Sequence, residues 1–180
     1  MRTWMLAALT ALATAAAACS PSTPTEVETT EVPLEAAEPQ PAPELAPMSS
    51  TAESITGPAT FGQSAYTFGF GQRYAVAEPR TAGAGEPYGA GGDTWAALLQ
   101  LPEDAEVTVV RVVDEQVPRG APNGGLCGKD ARTAWIAVAA VGEGPEARTA
   151  MAAFQGAIAP GSSMLDASLC GTFNYIPKEE

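Results

Sequence analysis

Two stretches of this sequence are apolar or β-branched on both faces of a strand, and they constrain the fold more than any other feature. Val107 to Val113 is β-branched at successive positions apart from Arg111, which is the pattern of a central strand packed on both sides. Thr133 to Val141 is apolar throughout and stops at Gly142. A run of that kind fits a buried strand or a short helix. The β-branched Ile136, Val138 and Val141 beside Trp135 select the strand.

Three further segments carry strand signals. In Tyr66-Thr67-Phe68-Gly69-Phe70 the aromatics recur at every second residue and share one face. Leu169 to Ile176 repeats the pattern with Phe173 and Tyr175. Ala147 to Ile158 is ambiguous, because Ala147, Ala150, Met151, Phe154 and Ile158 also form a helical stripe. The short turn Gly142-Glu143-Gly144-Pro145 and the later Gly156 favour a strand hairpinned to the one before it. The clearest helix is short, with Asp93 as N-cap, Trp95, Leu98 and Leu99 on one face and Pro102 as stop. The expected fold is α+β, mainly an antiparallel β-sheet with one short covering helix and one disulfide.

This domain is expected to occupy residues 59–180, where all eleven aromatics of the C-terminal part and two of the three cysteines lie. Residues 20–58 contrast sharply: eight Pro, seven Glu, no Lys or Arg and no aromatic. Such a composition cannot bury a core, and its prolines favour extended polyproline II at about 3.1 Å per residue. A spacer follows as the expectation for 19–58.

The first 18 residues have a charged start at Arg2, an apolar stretch from Trp4 to Ala18 and a run of small residues before Cys19. This is the layout of an export signal. As a helix the apolar stretch spans only about 22 Å, short of the ~30 Å hydrocarbon core of a bilayer. Ala16-Ala17-Ala18-Cys19 resembles the lipobox of bacterial lipoproteins. The resemblance covers residues 1–20 and implies that 1–18 are removed, that Cys19 is acylated, and that the chain is held by lipid. Ser20, where inner-membrane lipoproteins carry Asp, implies the outer membrane, with the domain facing the periplasm. Acyl chains bind with about 0.8 kcal/mol per buried methylene, so several of them make a stable anchor. With Cys19 so used, Cys127 and Cys170 are left to pair with each other in an oxidising compartment. Closing a loop of that length is worth roughly 4 kcal/mol by the chain-entropy estimate.

Composition removes whole classes of function. Nine Lys plus Arg against 21 Asp plus Glu gives a net charge of −12, so nucleic-acid binding along a phosphate backbone is excluded. The chain has no histidine. Triad chemistry of the Ser-His-Asp and Cys-His kinds goes with it, as does any His-ligated metal. No cofactor or metal is expected. The glycines of Gly83 to Gly92 have the wrong spacing for a phosphate loop, with Pro87 lacking a donor and Glu86 repelling the ligand, and read as a flexible surface loop. Gly128-Lys129-Asp130 lacks the Ser/Thr of a nucleotide loop. Carboxylates gather at Glu103, Asp104 and Glu106 and at Asp114 and Glu115. Glycosidase chemistry needs two of them about 5 to 9.5 Å apart in a cleft, whereas turn-like sequence leaves them solvated. The aromatics Tyr66, Phe68 and Tyr74 read first as core, with a sugar-stacking ligand surface as the alternative.

The expected function is a lipid-anchored cell-envelope protein with a non-catalytic periplasmic domain that binds a wall component or a protein partner. Two alternatives remain at this level. One is an acidic inhibitor of basic cell-wall lytic enzymes, steered by the domain's excess of 14 acidic over 8 basic residues. The other is a carboxylate-based enzyme.

Overall fold

A computed structural model describes residues 42–161 and 168–178. The expectations for the export signal and for Cys19 lie outside the described residues. Eight antiparallel strands run in sequence order and close into a barrel. They are β1 (Glu44–Pro47), β2 (Ala59–Phe61), β3 (Ala65–Phe68), β4 (Arg73–Gly83), β5 (Glu106–Gln116), β6 (Trp135–Val141), β7 (Arg148–Phe154) and β8 (Leu169–Pro177). Closure comes from β1 against β8, with Leu45 opposite Pro177 and Pro47 opposite Tyr175. Antiparallel pairing, the disulfide and the hairpin of β6 with β7 agree with the sequence expectation.

Three expectations are corrected. The folded unit reaches back into the segment read as spacer, since β1 and the helix α1 (Ser50–Ile55) precede residue 59. Its proline-rich composition concealed a strand of four residues whose role is to complete the ring. There are two short helices, not one: α1, and α2 (Trp95–Leu99). The N-cap of α2 is Thr94 rather than Asp93, its hydroxyl accepting from the Ala97 amide at 3.3 Å.

Alternation along the strands explains why β5 to β7 are apolar on both faces. Val110, Ile136, Met151, Ala153, Phe173 and Tyr175 point into the barrel. There they meet Tyr66, Phe68 and Tyr74: Phe61 stands edge to face with Tyr66 at 5.1 Å and with Tyr175 at 5.6 Å, and Phe68 with Tyr74 at 5.7 Å. The interior is thus filled by side chains. Val107, Val109, Ala137, Ala150, Ala152 and Phe154 point outward, yet they are buried too. Their cover is the β4–β5 connection, residues 84–105, which folds back over the outer face as a flap. Trp95 stands edge-on to Phe154 at 5.8 Å, with Tyr88 and Leu99 beside it. Alanines on the outer face of β6 and β7 let the flap approach closely.

Polar groups fix the flap's own shape and tie it to the barrel. Within it the Ala96 amide donates to the Ala84 carbonyl at 2.7 Å and the Trp95 amide to the Glu86 carbonyl at 3.0 Å. Arg148 donates to the carbonyls of Leu99 and Gln100 at the end of α2 and to Asn174 Oδ1 on β8. The segment Gly83 to Gly92, expected as a loose surface loop, therefore contributes buried Ala84 and Tyr88 to the core. The β4–β5 ladder shifts register on either side of Val76–Ala77: Val113 of β5 is passed over at the first shift, and the second takes up Glu78 (φ 53°) and the donorless Pro79 without breaking β4.

β1, β2 and β3 have 4, 3 and 4 residues. A strand that crosses a bilayer needs about 9–11. The barrel also presents Arg73, Arg111 and Lys178 as exposed side chains.

Candidate functional site

Up-and-down topology places the β1–β2, β3–β4 and β5–β6 connections at one end of the barrel. α1 closes that end: Ala52 is buried, Thr56 Oγ1 lies 2.8 Å from Tyr175 Oη, and Gln72 in the β3–β4 turn donates to the Ile55 carbonyl at 2.9 Å. Above it runs the β5–β6 connection, 18 residues from 117 to 134. A connection of that length with a single 3-10 turn is uncommon in a compact domain and is characteristic of functional loops.

Its sequence is suited to a fixed irregular path. Gly124 has φ +75°, and a Cβ there would stand 2.7 Å from the Cα of Lys129, so the chain crosses itself where only glycine fits. Gly125 has φ +113° and passes 3.3 Å, at the Cβ position, from Tyr74 Oη. Four restraints hold the loop. Cys127 is bonded to Cys170 at the start of β8, with Cα atoms 4.8 Å apart. Leu126 is buried in the barrel end, and its amide donates to Tyr74 Oη at 3.1 Å. The two oxygens of Glu115 accept from the amide and hydroxyl of Thr133 at 3.2 and 3.0 Å.

Electrostatically the loop is the inverse of the chain. It carries Arg119, Lys129 and Arg132 against Asp130 alone, within a protein of net charge −12. Two adjoining hollows lie along it. One, of about 700 Å³, is lined by Asn123, Lys129, Asp130 and Gln155 among others. The second, of about 220 Å³, is lined by Glu115, Gly128, Lys129 and Arg132 among others. Burial raises the phenol of Tyr74 to about 12; the Leu126 amide pulls it down and the nearby Glu115 carboxylate adds to the rise.

Of the residues singled out from sequence, Cys127, Glu115 and Gly128 to Asp130 lie at the loop, while the proposed aromatic surface does not form. Tyr66, Phe68 and Tyr74 are 6%, 5% and 0% exposed, which removes them as a ligand surface: the strand face they share is the inside of a closed barrel. Only Phe70, in the following turn, is exposed. Glu103, Asp104, Glu106 and Asp114 are exposed, while Glu115 is committed to Thr133. Among the described residues no group of three or more acidic or cysteine side chains is arranged to hold a metal. The sequence reading passed over the loop as a whole. Its signal was present as 18 residues between two apolar strands, with four glycines, a cysteine and an excess of positive charge.

Fold and site together define a small, filled antiparallel barrel that displays one long, cross-linked loop at its end. No protein family, curated protein or solved structure matches the chain.

Proposed function

We propose that this chain is a lipid-anchored cell-envelope protein, attached to the outer membrane through acylated Cys19, whose barrel is a non-catalytic module that binds a cell-wall component through the β5–β6 loop. The observation that carries the reading is the number of restraints on that loop. A disulfide, a buried Tyr–amide bond and a carboxylate–threonine pair hold 18 residues in one shape. Rigidity of that kind is expected of a binding surface, because it lowers the ordering cost of association. The disulfide suits an oxidising compartment outside the cytoplasm and supports the export reading of the N-terminus. The loop's positive charge favours a wall ligand over a basic lytic enzyme, which that end of the barrel would repel.

Two measurements test the proposal. Cys19→Ala should move the protein from the membrane to the soluble fraction; continued attachment after a high-salt wash would overturn the lipid anchor. The full mature chain should co-sediment with purified cell-wall sacculi. Replacing Arg119 to Asn123 with Gly and Ser should abolish co-sedimentation while the melting temperature holds, and equal retention of that variant would move the binding surface off the loop.

A further inference from the structure

Lys129 and Arg132 are exposed, line the same hollow of about 220 Å³, and meet no carboxylate within ion-pair distance among the described residues. Elsewhere the acidic surface does supply partners: Arg111 pairs with Glu78 at 3.5 Å and Lys178 with Glu44 at 2.9 Å. Glu115 lines the same hollow, but both its oxygens are taken by Thr133. Among the described residues the amides of Lys129, Asp130, Ala131 and Arg132 donate no hydrogen bond. These four follow Gly128, whose φ is +85°. Successive free amides beside a residue of positive φ are a recurrent element of anion sites.

We propose that the hollow binds one carboxylate of an otherwise neutral, amide- and hydroxyl-rich wall peptide, held between Lys129 and Arg132. The inference rests on the wall-binding reading above and names the group that is recognised. A planar guanidinium matches a carboxylate by two parallel hydrogen bonds, and the ammonium adds a point charge. Asp130 and Glu115 line the two hollows, and the chain as a whole is strongly acidic. A dense polyanion is repelled by that surroundings, whereas a single carboxylate is accommodated. The adjoining hollow offers Asn123 and Asp130 to the neutral polar groups that follow.

The test is co-sedimentation of the full mature chain with three materials: native sacculi, sacculi whose carboxylates have been converted to neutral amides, and phosphatidylglycerol vesicles. Expected is retention on native sacculi, at least tenfold weaker retention on the amidated ones, and the same loss for the doubly substituted Lys129→Gln, Arg132→Gln chain on native sacculi. Lys129→Arg should retain binding. Both variants are at exposed positions and should melt with the wild type. Equal retention of the Gln variant, or of wild type on amidated sacculi, overturns the carboxylate site and leaves wall binding standing. No retention of wild type on native sacculi overturns both. Charge-dependent binding to the vesicles that exceeds binding to sacculi assigns the cations to membrane phosphate and also overturns the proposal.

Discussion

The hydroxyl of Tyr74, in the first half of β4, accepts a hydrogen bond from the amide of Leu126 at 3.1 Å, across 52 residues of sequence. The ring is fully buried in the barrel and the amide belongs to the long loop. One oxygen therefore joins the packed interior to the surface that the loop displays.

Tyr74→Phe should keep the ring packing and leave a buried amide without its partner. A loss of about 1–3 kcal/mol is expected, read by urea denaturation of the full chain. Wild-type stability in the variant would show that the loop is held without this bond.

Alkaline pH should act through the same residue. Burial holds the neutral phenol of Tyr74 to about 12, and raises that of Tyr175 as well, with the Thr56 hydroxyl lowering it and Tyr74 adding to the rise. In the unfolded chain both titrate near 10. Above that pH the folded state binds more protons than the unfolded one, so this contribution to stability is complete below pH ~10 and is lost as pH rises toward ~12. Denaturation midpoints measured from pH 8 to 12 should fall over that window. A flat profile, or phenols that all ionise near 10 in the folded protein, would contradict their burial.

Phe68 lies inside the barrel against Tyr74 and Phe61. Phe68→Ala should cost about 3–5 kcal/mol and lower the melting temperature by many degrees. A shift of a degree or two would mean that the interior is looser than the ring contacts require.

Replacing both Cys127 and Cys170 by Ser should cost roughly 4 kcal/mol by the chain-entropy estimate. Proteolysis of the variant should begin within residues 117–134, because the barrel ladders do not depend on the bond but the loop's path does. First cleavage elsewhere would count against that assignment.

Arg148 ties the carbonyl end of α2 to Asn174. Arg148→Gln should cost about 1.5–3 kcal/mol, the range for hydrogen bonds made by a charged group. Hydrogen exchange should accelerate first in the flap, at the amides of Trp95 and Ala96. Uniform acceleration across the barrel would show that the flap does not open by itself.

Several strands were legible because their pattern is local. Phe173 and Tyr175 alternate along β8, and the short Gly142–Pro145 turn brings β6 onto β7. β4 was not, since Glu78 and Pro79 interrupt it and only a bulge against β5 absorbs them. β1 was hidden in a stretch that reads as spacer. The loop escaped because no motif marks it: Lys129 and Arg132 acquire their meaning from a shared hollow.

The sequence by itself determined that β3, β5, β6, β7 and β8 are extended, that the two cysteines of the domain are available to each other, and which chemistries the chain lacks. Double-sided apolarity of β5 and β6 also required a cover on each side, without naming it. Tertiary structure alone decided that one cover is the barrel's own interior and the other a flap carrying Trp95. It also decided closure, in which Leu45 meets Pro177 and Pro47 meets Tyr175. The physical reason is that periodicity within a strand records which face is buried but not which strand lies beside it. Pairing of distant edges depends on the twist and packing of the whole sheet, and on those the local pattern is silent.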